Sequence, residues 1–199
     1  MKKFFKKWWW LLLIIVIGAG VGGYYGIQHY RAVQEEKRIA SHPADITVNE
    51  FVKAVAPAAQ REQKKYHLKA SIIIAQAGLE SNWGRSKLAR KYNNLFGVKA
   101  TVGHKSVTLP TTETINGKTK TVKAKFNVYP SWDESIKAHT KLLMMGTSEN
   151  HNRYKSVTTA KNYKTAAREL QKDGYATDPE YANKLIYAIQ KFNLNQYDK

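Results

Sequence analysis

Carboxylates are the most reactive groups that this sequence offers. The chain has no cysteine, so it lacks a thiol nucleophile, a zinc–thiolate site and a disulfide framework. Its six histidines are scattered without an H-E-x-x-H motif, and there is no G-x-S-x-G elbow or Walker loop. The sequence therefore predicts no metal and no cofactor, and it favours acid–base chemistry by Asp or Glu.

Thirteen acidic residues follow the first forty positions, and eleven of them have an ordinary explanation. Those at predicted helix starts serve capping or the helix dipole: Glu50, Asp133, Glu134, Asp178 and Glu180. Those on predicted solvated faces, or in a linker, loop or tail, are Glu62, Glu169, Asp173, Asp45, Glu149 and Asp198. Glu80 and Glu113 remain as candidates for chemistry.

Glu80 ends the apolar segment IIIAQAGLE. On a helix it shares one face with four other residues: Ile73, Gln76, Ala77 and Trp83. A carboxylate there would be partly desolvated, which raises its pKa and suits a general acid. The alternative is an ordinary glutamate at a helix C-terminus that reaches water or a lysine, and the pattern alone leaves both open.

Glu113 lies near the tip of a predicted β-hairpin. A two-residue turn at Asn116-Gly117 pairs Glu113 with Lys120. In that register it shares a face with the apolar residues of the hairpin: Leu109, Val122, Ala124 and Phe126. Either Glu113 faces whatever the hairpin covers or it forms a cross-strand ion pair with Lys120, and geometry alone slightly favours the ion pair.

Helices around this one hairpin must position both carboxylates. Capping boxes at Thr47 and Ser131 begin helices over about 47–66 and 131–145, and Pro57 is expected to break or restart the first. Further helices are predicted at 71–83, 86–91, 162–172 and 179–192. Alternating apolar residues predict a half-buried strand over 122–128, opposed by 107–111.

The N-terminal residues carry a separate signal. Trp8 to Ile27 is a run of twenty uncharged residues, long enough to cross a bilayer as a helix. Lysines at positions 2, 3, 6 and 7 precede it, so the positive-inside rule predicts a cytoplasmic N-terminus and an external remainder. The alternative is a cleaved signal peptide, but the length of the run favours an uncleaved anchor.

Four segments follow from this interpretation: a cytoplasmic basic segment at 1–7, a transmembrane signal-anchor at 8–27, a polar stalk at 28–44 and a working domain at 45–199. The chain has 33 Lys and Arg against 15 Asp and Glu, a net charge of +18. Seven of the basic and two of the acidic residues lie in the first forty, which leaves +13 on the domain. This surplus predicts an anionic partner, and an external domain excludes nucleic acid.

Several motifs make the sequence recognisable. They are AQAGLESNWG at 75–84, SKLA at 86–89, NNLFG at 93–97, FNVYPSWDES at 126–135 and GYATDPEYA at 174–182. In this order they resemble the bacterial peptidoglycan N-acetylglucosaminidases, the mannosyl-glycoprotein endo-β-N-acetylglucosaminidase-like family (glycoside hydrolase family 73). The resemblance implies a lysozyme-like α+β fold, mainly helical, with a small β-hairpin lobe over the cleft. It also implies hydrolysis of the β-1,4 bond after N-acetylglucosamine in peptidoglycan.

The resemblance also assigns roles to residues within the motifs. By motif position, Glu80 corresponds to the catalytic acid, Glu113 to the second carboxylate and Tyr175 to a cleft tyrosine. The implied substrate-binding residues are Gln76, Trp83, Asn93, Asn94, Phe96 and Tyr181. Core packing explains Trp83 and Phe96 about as well as sugar stacking does, and the two asparagines either bind sugar or hold the turn before Leu95.

Mechanism and exact function stay open at this stage. Either Glu113 activates a water, giving inversion, or the substrate's 2-acetamido group attacks while Glu113 or Tyr175 stabilises the intermediate. The competing functions are a muramidase, a lytic transglycosylase and a non-catalytic wall-binding domain, since a fold does not settle bond choice. The expected partners are peptidoglycan glycan strands, the membrane through residues 8–27 and anionic wall polymers; oligomeric state is not predicted.

Overall fold

The computed structural model describes residues 23–31, 43–115, 118–147 and 149–199. The chain divides into two units, residues 1–41 and 42–199, and residues 23–31 of the first are helical. The predicted cytoplasmic segment, most of the predicted anchor and much of the predicted stalk lie outside the described residues. Of the helices that are described, none has the length and apolar character needed to span a bilayer.

The described part of the second unit is mainly helical, with one two-stranded antiparallel sheet. Its helices are α1 (Val48–Tyr66), α2 (Ala70–Ser81), α3 (Lys87–Tyr92), α4 (Trp132–Met145), α5 (Lys155–Thr158), α6 (Tyr163–Lys172) and α7 (Tyr181–Lys191), with a 3-10 turn at Leu194–Tyr197. The strands are β1 (Ser106–Ile115) and β2 (Lys118–Asn127). This is the α+β arrangement that the sequence predicted, with the short α5 as an addition.

α1 begins as predicted but does not break. The Thr47 side chain and the Glu50 side chain each bond the other residue's backbone N–H, which completes the capping box. The prediction that Pro57 interrupts the helix is wrong, because Pro57 lies inside a continuous helix. An interior proline costs about 3 kcal/mol. Buried residues on both sides of it, among them Val55 and Ala59, anchor the helix to the core and outweigh that cost.

α2 is the central helix, and every residue from Ala70 to Gly78 is buried. Its N-terminus has no cap from its own N-cap residue. Instead the carboxylate of Asp198 accepts hydrogen bonds from the Ser71 N–H at 2.8 Å and the Ser71 hydroxyl at 2.7 Å. Asp198 is therefore not an idle tail residue, because it satisfies a donor at the start of the most buried helix.

The position of Glu62 also differs from its prediction. It is half-buried on α1, and its Oε2 atom has no hydrogen-bond partner among the described residues. Burial raises the pKa of Glu62, although nearby Lys65 and Lys137 oppose the shift. The interpretation of Glu62 as a solvated surface residue is therefore wrong.

The hairpin has the register that a two-residue turn requires. Ile115 pairs with Lys118 and Glu113 pairs with Lys120, as predicted; the turn itself, Asn116-Gly117, lies outside the described residues. On β2, Val122 and Ala124 are half-buried and Phe126 is buried, while the residues between them up to Lys125 are exposed. The predicted alternation is thus confirmed, and the apolar face of the hairpin is turned toward protein.

Candidate active site

A cleft of about 330 Å³ separates the C-terminal end of α2 from the hairpin. The helical side contributes Glu80, Ser86, Lys87, Leu88 and Gly97, and the hairpin contributes Leu109, Pro110, Thr111 and Phe126. Thr111 stands two positions before Glu113 on β1, and alternate residues of a strand share a face. The two carboxylates predicted for chemistry therefore belong to elements that border the same space.

Glu80 occupies the last turn of α2, where the buried helix emerges into the cleft. By surface area Glu80 is exposed to the cleft, and the protein packed around its carboxyl group desolvates that group only in part. This desolvation raises the pKa of Glu80, and a hydrogen bond that the Tyr181 hydroxyl donates to Oε1 at 3.0 Å partly opposes the shift. The net direction is upward, so Glu80 keeps its proton at higher pH than a free glutamate.

Gln76 and Tyr181 lie behind Glu80. Gln76 is fully buried, and its Nε2 donates to the Tyr181 hydroxyl oxygen at 3.3 Å. The structure therefore gives no support to the predicted substrate contact of Gln76, which stays a prediction. The Tyr181 hydroxyl accepts from Gln76 and donates to Glu80, so Tyr181 holds the carboxyl group in position through a hydrogen bond.

Tyr175 is brought to the same place by the end of α6. Gly174 adopts a φ of 70°, and the Tyr175 N–H donates to the Leu170 carbonyl at 3.0 Å. This left-handed helix ending turns the chain so that the Tyr175 ring stacks on Tyr181 with centroids 5.5 Å apart. Burial raises the pKa of Tyr175 well above its usual value, with Tyr181 and Glu80 adding to the shift. Tyr175 is thus a neutral phenol beside the candidate acid.

His139 is a member of this cluster that the sequence analysis missed. It lies on α4 at 2% exposure, with Nε2 3.2 Å from Gln76 Oε1. Burial lowers the pKa of His139 to about 3, so its ring is neutral. The available signal was its spacing from Ile136 and Leu143, which makes it a polar residue within the core-facing stripe of α4.

The two predicted sugar-stacking aromatics are packed against other rings. Trp83 contacts Phe51 and Phe192, with centroid distances of 6.0 and 4.6 Å. Phe96 is buried and stacks on His139 at 3.8 Å with an interplanar angle of 11°. Both arrangements correspond to the packing alternative, and neither ring is among the residues that line the cleft.

The two asparagines hold the loop after α3. Asn93 Nδ2 donates to the carbonyls of Tyr129 and Pro130, at 3.1 and 3.3 Å. Asn94 Nδ2 donates to the carbonyls of Val98 and Asn127, each at 2.9 Å. Both side chains are buried, so the structure supports the turn-holding alternative and gives no support to sugar binding.

A helical body, a hairpin over a cleft and a glutamate with a raised pKa define the lysozyme-like class of glycoside hydrolases. Within the described ranges, no group of three or more acidic or histidine side chains is arranged to hold a metal ion. The family model described as mannosyl-glycoprotein endo-beta-N-acetylglucosaminidase matches residues 56–194. The chain belongs to this family of glycoside hydrolases.

Individual relatives agree with this assignment. Exo-glucosaminidase LytG of Bacillus subtilis is 48% identical over 149 residues, which cover 75% of this chain and 53% of that protein. Peptidoglycan hydrolase FlgJ of Escherichia coli K12 is 43% identical over 140 residues, 67% of this chain and 42% of that protein. The chain thus spans about half, or less, of these two curated relatives.

A solved structure covers more of the chain. The catalytic domain of the autolysin Auto from Listeria monocytogenes matches with a TM-score of 0.73 at 40% identity. The match covers 84% of this chain and 97% of that domain.

Proposed function

We propose that this protein is a peptidoglycan hydrolase that cleaves the β-1,4 bond after N-acetylglucosamine, with Glu80 as general acid. The observation that carries the proposal is the desolvated carboxyl group of Glu80, open to a cleft beneath the hairpin. Its raised pKa keeps a proton available for the glycosidic oxygen as positive charge develops on the sugar ring. Membership of the glucosaminidase family supports the bond, and the name of FlgJ supports the polymer.

The second half of the reaction has two routes in this proposal. In one, Glu113 removes a proton from the water that attacks the opposite face of the sugar. In the other, the substrate's own 2-acetamido group attacks, and Glu113 or the neutral phenol of Tyr175 stabilises the product of that attack. The backbone position of Glu113, two residues beyond the cleft-lining Thr111, supports a part for it in either route.

The location of the enzyme is a further part of the proposal. Residues 8–27 would anchor the chain as a single membrane span, with the N-terminus in the cytoplasm and residues 45–199 facing the wall. The uncharged run and the four lysines before it support this arrangement. Full-length protein should sediment with membranes and be digested by protease added to intact protoplasts. Recovery in the soluble cytosolic fraction would contradict the anchor.

The charge of +13 on the wall-facing part supports anionic wall polymers as partners. Binding to purified walls should weaken as sodium chloride rises from 50 to about 500 mM, because the Debye length falls well below 10 Å. Salt-independent binding would contradict electrostatic attraction, and the charge would then serve solubility alone.

Analysis of the digest tests the cleaved bond. Purified walls are incubated with the enzyme, the new ends are reduced with borohydride, and the fragments are identified by mass spectrometry. Reduced N-acetylglucosamine ends are expected, whereas reduced or anhydro N-acetylmuramic ends would identify a muramidase or a lytic transglycosylase. Long fragments early in the digest indicate endo cleavage; small products alone would favour exo cleavage, the activity in the name of LytG.

A further inference from the structure

A chain of polar contacts runs from the cleft into the core. Starting at Glu80 Oε1, it passes through the Tyr181 hydroxyl at 3.0 Å, Gln76 Nε2 at 3.3 Å and, from Gln76 Oε1, His139 Nε2 at 3.2 Å. Gln76 and Glu80 lie one turn apart on α2, while Tyr181 comes from α7 and His139 from α4. The last three members of the chain are buried, so water does not compete for these hydrogen bonds.

One hydrogen, on the His139 nitrogen that faces Gln76, determines which group donates and which accepts in each of these hydrogen bonds. Gln76 Oε1 can only accept, so the His139 nitrogen that faces it must carry a hydrogen. The Gln76 amide then presents its NH₂ group to Tyr181, whose oxygen accepts it. A tyrosine oxygen that accepts on one side is left to turn its own hydrogen to the other side, where Glu80 lies.

We propose that His139 is a positioning residue: through Gln76, its Nε2–H tautomer orients the Tyr181 hydroxyl hydrogen toward Glu80 and so fixes which hydrogen bond the acid receives. This inference rests on the proposed role of Glu80 as general acid. Without the histidine N–H, the Gln76 amide is free to turn over and present Oε1 to Tyr181. The Tyr181 hydrogen would then point at Gln76, and Glu80 would lose its donor.

The surroundings of His139 hold it neutral and in place. Its ring lies flat against Phe96 and edge-on to Tyr175, with centroids 3.8 and 5.7 Å away. No charged side chain of the described residues contributes to lowering its pKa to about 3, because burial is the sole cause. His139 therefore stays neutral throughout the pH range in which Glu80 changes charge.

Other titratable groups lie near Glu80 and Tyr181. Lys87 lines the same cleft, the Tyr175 hydroxyl is also hydrogen-bonded to that of Tyr181, and the backbone of β1 places Glu113 opposite Lys120. Of these groups, Tyr175 contacts the His139 ring edge-on, and a phenylalanine at position 139 preserves that contact. A change in the Glu80 pKa caused by such a substitution therefore reports on the chain through Gln76 and Tyr181.

Two substitutions separate the hydrogen-bond donor from the ring. His139→Phe keeps an aromatic ring against Phe96 but has no N–H, whereas His139→Gln places an N–H at similar reach without a ring. The Glu80 pKa is followed by the carbon-13 shift of its carboxyl carbon as a function of pH. We expect the pKa to rise by about one unit in His139→Phe and to stay near the wild-type value in His139→Gln. Equal shifts in the two variants, or no shift in His139→Phe, would overturn the proposal.

The unmodified protein provides a measurement that does not depend on either variant folding. Nitrogen-15 shifts of the His139 ring should show the hydrogen on Nε2; a hydrogen on Nδ1 would overturn the proposal, because Gln76 would then have to donate to the ring. Neither readout depends on which glycosidic bond is cleaved. N-acetylmuramic ends in the wall digest would thus contradict the proposed function while leaving the positioning chain intact.

Discussion

Replacement of Tyr181 by Phe removes the hydroxyl that donates a hydrogen bond to the candidate acid. In the native protein this hydroxyl donates to Glu80 Oε1 at 3.0 Å, which favours the ionised carboxylate and lowers the pKa of Glu80. Without it, desolvation acts unopposed and the pKa rises further. A general acid works only while it is protonated, so activity should persist to higher pH in Tyr181→Phe.

The size of the shift can be worked from the contact. A hydrogen bond to a charged group contributes about 1.5–3 kcal/mol. One pKa unit corresponds to about 1.4 kcal/mol, so the bond is equivalent to about 1–2 units. Because solvent reaches Glu80 from the cleft, we expect the lower end, a rise of about one unit. The variant should also lose about 1–3 kcal/mol of stability, since the buried Gln76 amide loses its acceptor.

The assay is the pH profile of initial rates on a soluble glycan fragment, measured where thermal melts show that the protein is folded. The basic limb of the profile should move upward by about one pH unit in Tyr181→Phe. Tyr187→Phe is the matched control, because Tyr187 lies on the same helix, is 61% exposed and has Lys191 over its ring. A basic limb that stays in place, or moves to lower pH, would refute the assignment of Glu80 as the acid that Tyr181 modulates.

Two further predictions concern stability. Asp198→Ala should lower the free energy of unfolding by about 0.5–2 kcal/mol, because α2 loses its cap. Asp45→Ala, at an exposed position, is the control. Equal denaturation midpoints for the two variants would contradict this role of Asp198. Glu62→Gln should melt above wild type at pH 7, because burial raises the Glu62 pKa and ionisation therefore costs stability as the pH rises through it. The advantage should vanish below about pH 4, where Glu62 is protonated in both the folded and the unfolded chain, and an advantage that persists there would point to another cause.

Local patterns were sufficient for the parts of the fold that neighbouring residues determine. The hairpin register follows from the two-residue turn and strand alternation, and both are local properties. The burial of α2 from Ala70 to Gly78 follows from an apolar run of helical length. The Pro57 prediction failed because helix propensity is local, while the packing of α1 that overrides it is not.

The hydrogen bonds that surround Glu80 could not be predicted from local patterns. Gln76 meets Tyr181 across 105 positions and His139 across 63, and no local pattern encodes such contacts. Asp198 meets Ser71 across 127 positions. In the sequence Asp198 is only an acidic residue near the C-terminus, with nothing to indicate this partner. For Asn93 and Asn94 the ambiguity was chemical, because an asparagine that binds sugar cannot be told by residue type from one that hydrogen-bonds the backbone of a turn.

Glu80→Gln tests the central claim most directly. Glutamine keeps the size of the side chain and its amide oxygen can still accept from Tyr181, but it has no acidic proton to transfer to the glycosidic oxygen. Since the Glu80 pKa is raised by burial, the neutral variant should be at least as stable as wild type at pH 7. It should bind purified walls and fail to lyse them, as followed by turbidity. Full lytic activity in the folded variant would contradict the account.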